Sequence, residues 1–285
     1  MQASAVTDTP PPVLQRVDGA ARLRVGLEAG NTRLRDLYQR APCRLLFPQG
    51  EPGEPLHAVL LTTSGGLTGG DRIEAVLEAG AGTRVQLATQ AAEKLYRARD
   101  TDAATRVGIQ IRAEAGAWVE WLAQETILFD GARLRRQFSA DLAAGSRLLA
   151  LESVVFGRTA MGESFSQGLL HDAWRVRRGG RLVWADALRL DDMARVRARP
   201  FGIGAARACA TLLYAGDDAA TLLQPMRDIL NGVEGAAATA FDGLLIARLW
   251  SQDAALLRTQ TATLAAWARR EAADLPARLP RVWHC

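Results

Sequence analysis

The chain has little of the chemistry on which most functional classes depend. Its 285 residues include three cysteines, three histidines and a single lysine, Lys94. Cys43, Cys209 and Cys285 are far apart and odd in number, which argues against a disulfide framework and fits a reducing compartment. No Cys-x-x-Cys, His-x-x-x-His or EF-hand spacing occurs, so no local motif encodes a closed metal cage. The terminal "WHC" sets an imidazole beside a thiol, but a frayed terminus is the simpler account. A Gly-x-Ser-x-Gly elbow is missing, and none of His57, His171 and His284 sits in a recognisable general-base setting, so a hydrolase reading is weak. No stretch approaches the roughly 18 apolar residues of a membrane span. The opening "MQASAVTDTPPPV" lacks the segments of a secretory signal. Residues 1–14 are expected to be a disordered lead-in, and the protein to be cytoplasmic, away from any membrane.

Charge adds one more exclusion. The 35 basic residues, all but Lys94 arginine, stand against 31 acidic ones and are spread along the chain. A nucleic-acid binder would show a clustered stripe or a recognisable motif, so nucleic acid is not an expected partner.

What the chain does have is short-period apolar alternation. "ARLRVGLEAG" places Leu23, Val25 and Leu27 on one face, and "DRIEAVLEAG" does the same with Ile73 and Leu77. Similar runs continue to about residue 200 with glycine pairs between them, the pattern of antiparallel strands and hairpins. "RRGGR" at 177–181 is the clearest hairpin turn. A loose echo of strand, Ala-Gly turn and apolar strand recurs around Gly80, Gly116 and Gly145. Repeated hairpins and a wrapped, β-helix-like stack both fit it.

The last third changes character. Asp217 or Asp218 is a candidate cap for a helix over 217–231, although Pro225 allows a later start. A strand over 243–250 follows, and Ser251 is then the predicted cap of a helix over 252–272 bearing Leu256, Leu257, Leu264 and Trp267. The expected fold is mainly β: a large wrapped, β-helix-like body of antiparallel or mixed sheet with two helices near the C-terminus. It forms one domain over 15–275 and ends in an irregular tail over 276–285.

"TTSGGLTGGD", residues 62–71, holds four glycines in ten residues. No Lys-Ser or Lys-Thr pair follows it, the Gly-x-Gly-x-x-Gly spacing is absent, and the next residues alternate like a strand, so a phosphate cradle is disfavoured. Tight turns at Gly65, Gly66, Gly69 and Gly70 that deliver Thr68 and Asp71 fit better, with Ser64 a further residue of the motif. Other polar residues stand out in "AAEKLYRAR" (Glu93, Lys94, Tyr96, Arg97), "ETILFDGA" (Glu125, Asp130) and "GRTAMGE" (Arg158, Glu163). Taken singly, each is most simply a solvated loop charge or a local ion pair.

Together, "TTSGGLTGGDRI", "ATQAAEKLYRA", "QETILFDGARLRR" and "ESVVFGRTAMGE" resemble the urease accessory proteins of the UreD family, also called UreH, over about the first 165 residues. The resemblance implies a non-enzymatic nickel-insertion chaperone. It implies a UreF-type partner, a UreG-type GTPase recruited through that partner, and urease apoprotein, in a hetero-oligomer such as a dimer of heterotrimers. No tightly bound cofactor is expected, only transient Ni²⁺. Asp71, Glu93, Glu125, Asp130 and Glu163 become candidate passage or interface residues, accompanied by Lys94, Tyr96, Arg97 and Arg158. A conduit needs sites weak enough to release their ion, which suits scattered carboxylates. The alternative is a small-molecule-binding or hydrolytic β protein using the 64–71 loop, and a third reading is a passive assembly subunit.

Overall fold

The alternating runs become strands that wind between two stacked sheets. The computed structural model describes residues 15–284, so the predicted lead-in over 1–14 and Cys285 lie outside the described residues. The chain begins with β1 (Asp18–Glu28), β2 (Asn31–Arg40), β3 (Cys43–Leu46) and β4 (Leu56–Thr62). The winding follows through β5 (Arg72–Ala79), β6 (Arg84–Thr89), β7 (Glu93–Leu95), β8 (Thr105–Ala113) and β9 (Trp118–Leu122). It continues through β10 (Thr126–Leu128), β11 (Arg133–Leu142), β12 (Arg147–Phe156) and β13 (Leu169–Arg178). The last third holds β14 (Arg181–Leu190), α1 (Met193–Ala198), β15 (Ala208–Ala215), α2 (Leu223–Ile229), β16 (Ala236–Phe241), β17 (Leu244–Ser251) and α3 (Ala254–Ala273).

One sheet, the front sheet, has the order β14-β13-β11-β8-β5-β1-β2. The other, the back sheet, runs β16-β17-β15-β12-β9-β6-β4-β3, with β10 and β7 branching from β12. The chain alternates between them, and β5, β8, β11 and β13 are parallel neighbours, as are β6, β9 and β12. The wrapped reading of the echo is therefore the right one. Its body is parallel, and antiparallel pairing is confined to the two ends, as in β1–β2 and β13–β14. The "RRGGR" hairpin turn falls at Gly179 and Gly180, between β13 and β14.

The Ala-Gly echo marks one corner of the coil. Thr83 N donates to Gly80 O, Ala117 N to Glu114 O and Ser146 N to Ala143 O. The third residue of each turn is Gly82, Gly116 or Gly145, at φ of 67°, 70° and 72°, which an L side chain adopts only with strain. The repeating glycine of the first turn is thus Gly82 rather than Gly80.

Between the sheets lies one core, with Leu77, Ile111, Leu134, Phe138, Val119 and Leu148 each almost fully buried. A second core covers the outer face of the back sheet, where Trp118, Leu149, Leu151, Tyr214 and Leu249 meet Met226 of α2 and Leu257, Leu264 and Ala268 of α3. The cap of α3 is Asp253, whose carboxylate accepts from Ala255 N and Leu256 N, while Ser251 Oγ only accepts from Asp253 N. A carboxylate at this position also meets the positive end of the helix, an advantage serine lacks. Leu256, expected on the packed face, is exposed. Besides its apolar face, the helix is held by a charge: Arg269, buried, donates to Glu120 and Glu54 and to the carbonyls of Pro276 and Arg278.

Candidate functional site

The four conspicuous segments stack on one another at the opposite corner of the coil. Leu67 N donates to Lys94 O and Tyr96 N to Leu67 O, tying the glycine loop to β7. β7 pairs in parallel with β10, and β10 with β12. Ala98 N then donates to Gly131 O and Gly131 N to Gln167 O, which joins the next two turns. Residues separated by some thirty positions in sequence therefore share one edge.

The glycines of the first loop allow this close stacking. A Cβ on Gly66 would sit 2.5 Å from the Tyr96 ring and 2.8 Å from Lys94 O. On Gly69 it would meet Ala98 and Asp102 side chains at 2.7 Å. Tyr96 OH donates back to Gly65 O at 3.0 Å, and the Tyr96 ring meets Phe129 edge-on at 4.9 Å. Thr68 Oγ1 donates to Arg97 O at 3.0 Å.

Behind this edge, between the sheets, is a cavity of about 270 Å³. Ser64, Gly65 and Gly66 form part of its wall, with Thr62, Glu93 and Lys94 beside them and Trp121, Thr126, Arg136 and Glu152 deeper in. Ser64 Oγ is buried there without a hydrogen-bond partner. Glu93 accepts from Thr62 Oγ1 at 3.0 Å. Burial raises its pKa, and the bond from Thr62 and the nearby Lys94 offset this only in part.

The five predicted carboxylates do not converge. Of them only Glu93 lines the cavity. Asp71 is buried and caps its own loop: its carboxylate accepts from Thr68 N at 2.7 Å and Val17 N at 2.9 Å. Glu125 takes both oxygens to Arg258 of α3 at 2.7 Å, an ion pair that ties the helix to the corner. Asp130 and Glu163 do come together, since Glu163 accepts from Asp130 N at 2.6 Å. Asp130 accepts from Ser166 N and Oγ, Gln167 N and Arg97, and Glu163 pairs with Arg158. Burial works against the Asp130 charge, but the bonds from Ser166 and Gln167 outweigh it and hold the pKa at about 2. Glu163 is likewise held low, first by Asp130 N and then by Arg158. Among the described residues, no group of three or more His, Cys, Asp or Glu side chains could close around a metal ion.

The deepest polar group was not among the predicted residues. Arg136 points inward between Leu134 and Phe138, and its guanidinium donates to Asp172 at 2.9 and 2.7 Å, to Thr126 at 3.1 Å and to Glu152. Trp121 Nε1 donates to the other oxygen of Glu152 at 2.7 Å. Burial disfavours the Arg136 cation, but Asp172 and Glu152 reverse that and keep it charged. Glu152 is pushed up by burial, with Arg136 opposing and Asp172 adding to the rise. Across this triad lies a second cavity of about 120 Å³ that also touches Asp186, Arg248 and Cys209. The sequence does carry a signal for it: Glu152 interrupts "LLALESVVF", an apolar run in which either face of a strand would be buried.

The fold and site define a class: a two-sheet β-coil whose four marked segments build one edge around a polar cavity inside an apolar core. The sequence matches the family model described as "UreD urease accessory protein" over residues 17–284. It is 46% identical over 276 residues to the urease accessory protein UreD of Magnetococcus marinus, covering 94% of each chain. It is 44% identical over 281 residues to that of a Methylobacterium species, covering 95% of this chain and 96% of the relative. To that of Rhizobium leguminosarum bv. viciae it is 44% identical over 245 residues, covering 86% and 88%. The chain belongs to the UreD family of urease accessory proteins.

Proposed function

We propose that this protein serves urease maturation as a non-catalytic subunit through which a nickel ion passes on its way to urease. The observation that carries the reading is the pair of cavities that meet at Arg136 and Glu152 inside an otherwise apolar core. Glu93 and Ser64 offer oxygen donors on one side, and Asp172 and Asp186 on the other, where Asp186 is partly exposed beside Arg248. Such donors hold a divalent ion loosely while it keeps part of its water, which suits transit rather than storage. The raised affinity of Glu93 and Glu152 for protons fits the same task, because an arriving cation supplies the countercharge that burial withholds. Asp71, Glu125, Asp130 and Glu163 then serve the passage indirectly, by bracing the edge around it. A UreF-type protein, a UreG-type GTPase bound through it and urease apoprotein are the proposed partners in a cytoplasmic complex. The nickel ion is cargo, with no resident cofactor.

A small-molecule site on the glycine loop is the weaker reading, since the cavity falls below the ~300–1,000 Å³ of ordinary ligand pockets. The test is to coexpress a urease operon with Glu93→Leu and Glu93→Gln variants that still assemble. Urease nickel content is expected to fall several-fold with Glu93→Leu and less with Glu93→Gln. Undiminished nickel in both variants would remove the passage reading.

A further inference from the structure

The outer face of the front sheet carries two charged rows built by opposite rules. In the row near the C-terminal ends of the strands, Glu78, Arg112, Asp141 and Arg177 are successive register partners across β5, β8, β11 and β13. Their signs alternate, and Arg112 and Arg24 both bond Glu78, at 2.7 and 2.9 Å. In the row near the N-terminal ends, Arg72, Arg106, Arg135 and His171 are the register partners on the same four strands. Here three arginines stand side by side on neighbouring strands, which lie only ~4.8 Å apart. Like charges directly opposite destabilise a sheet.

Among the described residues, no carboxylate lies within ion-pair distance of Arg72, Arg106, Arg135 or Arg175, and Glu74, the one acid in the groove, is paired with Arg22 at 3.6 Å. The three row arginines and Arg175 are exposed and line a shallow groove of about 730 Å³. Among the described residues no helix covers this face, unlike the back sheet.

We propose that this row is a docking site for an acidic α-helix of a protein partner. Carboxylates at i and i+4 on a helix lie ~5–6 Å apart, close to the spacing of guanidiniums on adjacent strands. Each guanidinium fork can take one carboxylate with two hydrogen bonds. A nucleic-acid strand fits less well, because three arginines span only ~10 Å, far short of the six or more phosphate contacts such binders use.

The test uses the full-length protein and a fluorescein-labelled, alanine-based helical peptide with glutamate at every fourth position. The controls are a scrambled peptide of the same composition, a 12-nucleotide single strand, and the variants Arg106→Glu and Arg112→Glu, each checked by thermal melting. Fluorescence anisotropy at low salt should show the row peptide binding at least ~10-fold more tightly than the scrambled one. Arg106→Glu should weaken it ~10-fold or more, and Arg112→Glu should change it less than twofold. The proposal is overturned if the two peptides bind alike, if the row peptide does not bind, if the oligonucleotide binds more tightly, or if both variants lose binding equally.

Discussion

The two sheets are wound from the same coil, yet their outer faces could hardly differ more. The front sheet shows water a lattice of arginines with Gln137 and Ser139 between them, and its strands keep a clean in-out alternation, as in the β11 sequence RLRRQFSADL. The back sheet is covered on its outer face by α2 and α3, and β12 is buried at nine of its ten positions. A sheet covered on both faces must be apolar on both, so any charge it holds needs a partner buried with it. Glu120 in β9, with Arg269 of α3, is that case, whereas the outward-facing arginines of the front sheet have no such need because water solvates them.

The largest way to break this contrast is Arg269→Met. It would leave Glu120 buried and uncompensated, and a loss of about 3–5 kcal/mol in urea unfolding is expected. The double variant Arg269→Met/Glu120→Leu should recover much of that loss; recovery of none would mean that the ion pair is not the tie between helix and sheet.

The edge where the coil passes from one sheet to the other gives an intermediate effect. Asp130 has a folded pKa of about 2, below its ordinary value, so its contribution is complete above pH ~4 and fades as the pH falls toward 2. Asp130→Asn should therefore cost about 1–2 kcal/mol at neutral pH, the discount reflecting residual solvent at the carboxylate, and the difference from wild type should close on acidification. A constant difference across that window would assign the loss to packing instead of charge.

The smallest effect belongs to the front face. Arg106→Thr removes a like charge between Arg72 and Arg135 and puts a good strand former in its place. Stability should rise by a few tenths of a kcal/mol, and that gain should shrink in high salt, as read by chemical denaturation. A loss above about 1 kcal/mol would show that Arg106 is held by the fold after all.

This contrast also explains what could be read in advance. Strands with one wet face announce themselves by alternation, so β1 and β5 were legible, and Ile73 and Leu77 were correctly placed inside. Leu27, expected inside with Leu23 and Val25, is exposed beyond the reach of the core. Parallel pairing was not legible, because the partners are about thirty residues apart and no local turn specifies them. The glycine loop was found as a marked place, but its reason lies in Tyr96 and Lys94, which only the stacking brings against Gly66. Of the five predicted carboxylates, Glu93 is the one that lines the cavity. Arg136 and Asp172 were missed because a charge on an inward strand position looks, in a linear chain, like any other polar residue.

The β2 strand has a role that its position makes plain. A stack of parallel strands has no natural end, and its last strand offers unpaired amides and carbonyls to any passing chain. Here the front sheet closes at one side with β2, antiparallel to β1, largely exposed and studded with Arg33, Arg35, Asp36 and Arg40. The charges make that edge a poor template, so the coil that lets the chain enclose a cavity is also kept from growing into a fibre.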